Sequence, residues 1–167
     1  MAERKDRYNE MKSEYIHPFV EAAVKVLGEV TGGQVCRGAV SLRTSVVTTQ
    51  GIASLVGIFG EAEGRMILDM GRDTARSLAS AMKNQDIEEG DELISATVNE
   101  LANIIAGRAV SDMANQGRSF NITSPTLFSG KEMNVFNTTL ETVVIPLETE
   151  AGQVIINLAI RPRDQAY

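Results

Sequence analysis

The chain has 167 residues, 43% of them hydrophobic, enough to bury a sizeable core and within the usual length of one domain, so a single domain over 1–167 is expected. The formal net charge is -6, with no dense lysine or arginine cluster beyond the short "RKDR" start, which removes the phosphate-backbone footprint of a nucleic-acid binder. A single cysteine, Cys36, excludes an internal disulfide and argues against a cysteine-built zinc site, and a single histidine, His17, excludes every two-histidine metal motif.

The charged opening "MAERKDRYNEMKSEY" lacks the apolar segment and cleavage site of a signal peptide, and no apolar run reaches the roughly 18 residues of a membrane span. A cytoplasmic location and no membrane partner are therefore expected. Val20, Ala23, Val24 and Leu27 follow the i, i+3, i+4, i+7 spacing of an amphipathic helix that runs to the "TGG" break at Thr31 to Gly33. His17 and Pro18 should lie early in it or at a kink, because proline cannot donate to the preceding turn. Cys36, just beyond, is expected to be a small half-buried residue. The stretch "ASLVGIFGEAEGRMILDM" reads as strand, turn and strand.

Ala75, Leu78, Ala79 and Met82 repeat the helical spacing, and the polar "KNQDIEEGD" after them ends at Asp91, a good N-cap for a third helix. That helix should stop at "NQGRS". Beyond it, "LETVVIPLETEAGQVIINLAIRP" reads as a second strand pair about a turn near Ala151 and Gly152, with Pro146 on an edge or at a bulge because it cannot donate to a ladder.

The two halves repeat one another. Glu21, Val24 and Gly28 have the spacing of Glu100, Asn103 and Gly107 at an offset of 79 residues, and "GEAEGRMIL" matches "LETEAGQVII" in strand-turn-strand character, Gly64 facing Gly152 at an offset of 88. The expected fold is α/β of the α+β kind: a duplicated helix-plus-hairpin unit whose antiparallel sheet packs against two long helices and a shorter one.

Familiar catalytic machinery is missing. A phosphate-cradling loop would need a glycine five residues before Gly130-Lys131 and a hydroxyl after it, but those positions are Pro125 and Glu132. Neither "GEVTGG" nor "MGRD" satisfies a dinucleotide fingerprint, so no cofactor and no metal bound by this chain is expected. A catalyst with so few reactive groups must act by positioning, or use chemistry that a partner supplies.

The third helix carries the unusual pattern, "ATVNELANIIAGRA". At about 100° per residue, Ile94, Val98, Leu101, Ile104 and Ile105 form the core stripe, with Arg108 falling inside it, while Ala96, Glu100, Asn103, Gly107 and Ala114 lie opposite. Asn in a helix interior costs about half a kcal/mol against Ala, and Gly about one, so helix propensity is given up on that face. Small residues around one carboxylate and one carboxamide make a surface that another molecule can approach closely.

Glu100-Leu-Ala-Asn103, with Pro125 following twenty-two positions after the Asn, resembles the Glu-x2-Asn-x22-Pro signature of the CheC/CheX family of chemotaxis phosphatases. One copy of the motif in a short chain is similar to the CheX branch, and Val24 stands where a second Asn would be. The family pattern often has Asp or Ser four residues before the Glu; here that residue is Ala96.

The resemblance implies a phosphatase that binds a phosphorylated CheY-type response regulator and speeds hydrolysis of its aspartyl phosphate. Asn103 would orient the attacking water, and Glu100 would pair with the regulator's lysine. Ala96, Gly107 and Pro125 would face the partner, Mg²⁺ would belong to the regulator, and the chain would form a homodimer. The alternative is a noncatalytic adaptor that binds a response regulator or a flagellar switch component.

Overall fold

The computed structural model describes residues 2–43, 46–136 and 140–163. In chain order the elements are α1 (Ala2–Thr31), β1 (Cys36–Arg37), β2 (Ser41–Arg43), β3 (Val46–Thr48), β4 (Ile52–Gly60), β5 (Ala62–Met70), α2 (Arg72–Lys83), α3 (Glu92–Asn115), β6 (Phe120–Ile122), β7 (Thr126–Ser129), β8 (Asn134–Phe136), β9 (Thr142–Thr149) and β10 (Gly152–Pro162). The helix-plus-hairpin unit occurs twice, as α1 with β4–β5 and as α3 with β9–β10, and α2 is the shorter helix between them. No helix among the described residues is long and apolar enough to cross a membrane.

α1 starts at Ala2, well before Pro18, and continues through it. The expectation that Pro18 lies near the helix start is corrected: the charged opening has no apolar stripe, so its helical character leaves no periodic signal. At the other end the helix stops as expected, at Thr31, where Gly32 turns left-handed at φ +70 and gives its N–H to the Gly28 carbonyl at 2.8 Å.

The two hairpins meet in the middle of an antiparallel sheet ordered β9, β10, β5, β4, with β1 and β2 added outside β9 and β6 and β7 outside β4. Cross-strand rows show how the sheet divides its faces. Val56, Met66, Leu158 and Val143 form one row, and Ile52, Met70, Val154 and Leu147 another. All eight are buried in the core shared with the helices. Each such side chain contributes roughly 1.5–3 kcal/mol when fully buried.

Two expectations are corrected here. Gly64 is not the turn residue matching Gly152: the first turn lies at Glu61, and Gly64 sits within β5, where an added Cβ would come 1.9 Å from the Ala159 carbonyl oxygen of β10. Gly64 is thus set by close backbone approach at the sheet centre, a requirement with no periodic signature. Cys36 is exposed rather than half-buried, because its two-residue strand forms the sheet edge. Pro146 lies opposite the interruption between β1 and β2, where it has no ladder N–H to give and its carbonyl accepts from the Gly38 N–H at 2.8 Å.

The face turned away from the helices is less uniform. Ala53, Asp69 and Ile155 form one of its rows, and Leu55, Ile67, Asn157 and Val144 the next. Asp69 and Asn157 are each only 1% exposed. Burial raises the Asp69 carboxyl to about 6, against weaker lowering by the Gln50 and Met70 N–H groups.

The sign follows from which state holds the proton. Between about 4 and 6 the folded chain keeps a proton on Asp69 that the unfolded chain has lost, so this group makes stability fall as pH rises through that window. Asp69→Asn should remove that part of the slope and raise stability at pH 7.5 by roughly 1–3 kcal/mol. Urea unfolding at pH 4.5, 6 and 7.5 checks this, and an unchanged slope would contradict it.

Candidate functional site

Asp91 starts α3 as expected, its carboxylate accepting the Leu93 N–H at 2.9 Å. From there the helix buries an unusually wide arc: Ile94, Thr97, Val98, Leu101, Ala102, Ile105, Ala106, Ala109 and Met113. The width has a cause. α3 rests on β4 and β5 and is flanked by α1 and α2, so it is covered from several directions.

The opposite side remains outward. Ala96, Glu100 and Asn103 are exposed and Gly107 is half-buried, so four of the expected site residues share one face. Ile104, expected in the core stripe, is 36% exposed and adjoins Asn103 in sequence. Arg108, counted inside that stripe, instead gives two N–H bonds to the Glu29 carboxylate of α1, at 3.1 and 3.2 Å. Those bonds, and the Glu29 charge behind them, raise the Arg108 pKa above its ordinary value. An angular count finds the centre of an apolar stripe, but which flank is covered depends on the neighbouring helices.

Two neighbours set the posture of the Glu-Asn pair, and the sequence reading singled out neither. Lys83, the last residue of α2, places its Nζ 3.4 Å from Glu100 Oε2. Both side chains are well exposed, so the pair is worth at most about 1 kcal/mol and Glu100 can exchange Lys83 for another cation at little cost. Asn99, just before Glu100, accepts a 2.7 Å hydrogen bond from the Ser54 hydroxyl of β4, which is fully buried. This bond ties the strip-bearing turn of α3 to the sheet. A lone hydroxyl in the apolar run of β4 was the signal available for it.

Pro125 lies outside the helix, in the Thr123–Pro125 break between β6 and β7, both of which pair with β4. Thr123 bridges the break by bonding Gly57 twice, N–H to carbonyl at 2.9 Å and hydroxyl oxygen to N–H at 2.8 Å. α3 packs on both of these strands. Twenty-one residues separate Asn103 from Pro125, one fewer than the x22 of the signature.

The matching strip of α1 is built differently. Glu21 lies 3.2 Å from His17, and Val24 is half-buried at the place of the amide. A Cβ on Gly28 would touch the Gly33 carbonyl at 3.4 Å, whereas one on Gly107 would meet nothing within 4 Å. The chain leaving α1 thus lies against Gly28, whereas the space beside Gly107 is open.

Asn99→Ala should cost about 1–3 kcal/mol, because it leaves the buried Ser54 hydroxyl without its partner. Adding Ser54→Ala should recover most of that loss. Denaturant titration of the two single variants and the double variant measures the coupling, and strictly additive losses would show that the bond contributes nothing.

A family model described as chemotaxis phosphatase CheX matches residues 52–148. The CheY-P phosphatase CheX of Thermotoga maritima is 25% identical over 126 residues, covering 75% of this chain and 81% of that protein. A chain from the crystal structure of the CheX-CheY-BeF3-Mg+2 complex of Borrelia burgdorferi is 32% identical, superposes with a TM-score of 0.76, and covers 88% of this chain and 97% of that one. Thermotoga maritima FliY shares the fold at 17% identity, with a TM-score of 0.62 and coverage of 95% and 91%. With the matched span including α3, its Glu-Asn strip and the first hairpin, the chain belongs to the CheX family of chemotaxis phosphatases.

Proposed function

We propose that this protein is a phosphatase for a phosphorylated CheY-type response regulator, with Asn103 as its water-orienting residue and Glu100 as its anchor. The observation that carries the residue assignment is the exposed Glu100–Asn103 pair on a helix otherwise held down by its neighbours. The Thermotoga and Borrelia relatives support the substrate class.

Hydrolysis of an aspartyl phosphate needs a water oxygen to bond to phosphorus as the bond to the aspartyl oxygen breaks. Such a transfer depends on positioning and charge stabilisation more than on covalent help. The Asn103 amide can hydrogen-bond that water and hold it in line, but it is no base, so its contribution is orientation. Glu100 leaves Lys83 to pair with the regulator's active-site lysine, fixing the helix over the phosphorylation site. Ala96 and Gly107 permit the close approach, and Pro125 lies at the adjoining sheet edge. In this reading Mg²⁺ belongs to the regulator, where it neutralises phosphoryl charge, and the Borrelia CheX-CheY-BeF3-Mg+2 complex supports that assignment. The reading includes a cytoplasmic homodimer.

Decay of a phosphorylated CheY-type receiver in Mg²⁺, followed with and without the protein, tests the proposal. Asn103→Ala should lose at least about a hundredfold of the acceleration while binding the receiver nearly as well. Glu100→Ala should weaken binding instead. Binding without acceleration by the wild-type protein would point to a noncatalytic adaptor.

Gly107→Ala separates stability from recognition. It should stabilise the helix by roughly 0.5–1 kcal/mol, since its Cβ enters open space, while lowering receiver affinity. Thermal melting and a receiver titration measure the two effects, and unchanged affinity would remove Gly107 from the contact surface.

A further inference from the structure

The sheet face away from the helices holds functional groups that the phosphatase reading does not use. Asp69 accepts the Gln50 N–H at 2.9 Å through Oδ1, but its Oδ2 is buried without a partner, as are both Oδ1 and Nδ2 of Asn157. Leaving such groups unpaired costs about 1–3 kcal/mol each, which apolar residues at the same positions would avoid. The two side chains are diagonal neighbours across β5 and β10, because Asp69 faces Ile155 and Asn157 follows two residues later. Both line a cavity of about 340 Å³, whose other walls include Val144 and Ile155 and whose margin carries Arg43 and Thr48. That volume is at the lower end of small-molecule pockets, roughly 300–1,000 Å³.

The polar groups have an order. Asp69 Oδ2 and Asn157 Oδ1 are unpartnered acceptors suited to the N–H groups of an ammonium. Thr48 already gives its hydroxyl hydrogen to Asn134 Oδ1 at 2.9 Å, which leaves its oxygen able to accept. The exposed guanidinium of Arg43 is the cationic group on the cavity wall, suited to a carboxylate. We propose that this cavity binds a free amino acid, its ammonium held by Asp69 and Asn157 and its carboxylate by Arg43. The inference is independent of the phosphatase reading.

The charged groups on this face agree with the assignment. Arg43 lines the cavity and Arg65 lies farther along β5, but neither forms an ion pair with Asp69 among the described residues, and Arg65 Nη2 is itself buried without a partner. Farther along the sheet, Arg161 of β10 is paired with Glu63 of β5. An ammonium would therefore be the direct counter-charge of Asp69, and it would favour the ionised carboxylate.

The test is an amide NMR titration of the full chain at pH 7.5 with each of the twenty amino acids, and with ethylamine and propionate as half-ligands. At least one amino acid should shift the Gln50, Asp69 and Asn157 signals saturably, with ethylamine binding at least tenfold more weakly and propionate not at all. Asp69→Asn should lose that binding by at least tenfold while melting no lower than the wild type, which separates loss of the site from loss of the fold. Arg43→Gln should bring the amino acid down to the affinity of ethylamine. Absence of a saturable shift with all twenty would overturn the proposal and leave the cavity to water. Ethylamine binding as tightly as any amino acid, or unchanged affinity in Asp69→Asn, would overturn it as well.

Discussion

The proposed contact surface depends on how α3 is wedged. The helix buries residues over about half of its circumference, against the sheet beneath it and the two helices beside it. A helix held on one side can roll or slide, but one packed in this way has a fixed rotation. The outward strip therefore has a fixed address, and the Ser54–Asn99 bond adds a polar peg at the same turn. Side chains on regular, packed elements are positioned more accurately than side chains on loops.

This rigidity suits a surface with little chemistry of its own. Apart from the Glu100 carboxylate, the strip holds a carboxamide and small residues that can neither take a proton nor form a covalent intermediate, a set suited to holding something in place. The chain belongs to a family of chemotaxis phosphatases, and under the proposed reading a rigid amide would position the reacting water. The matching strip of α1 differs, with Val24 in place of the amide and the chain lying against Gly28, so the duplicated halves present different surfaces.

Much of this architecture is legible in the sequence, for physical reasons. β4, β5, β9 and β10 are long enough for turns and apolar residues to mark them, and α2 and α3 carry caps and periodic stripes. β1, β2, β3, β6, β7 and β8 have two to four residues each, too short for a period of two to register. Glu100, Asn103, Ala96 and Gly107 could be found because their spacing is local. The roles of Lys83, Asn99 and Ser54 arise from contacts between elements, and no spacing encodes them. Asp69 and Asn157 did leave a mark, as single polar residues inside the runs "MILDM" and "IINLAI", but strands covered on both faces make such a residue easy to pass over.

The pairing of β5 with β10 bears on how the chain reaches this structure. Met66 and Leu158 stand side by side at the sheet centre, yet they are ninety-two residues apart in sequence. Each hairpin can close locally, but its inner edge lacks a partner until the other half has been made. The entropy of closing that long loop is lost before the central ladder gives anything back, which favours slow, late assembly of the middle of the sheet. Until then two apolar strand edges are open in one molecule, so the duplication that produced a single sheet also made each half dependent on the other's arrival.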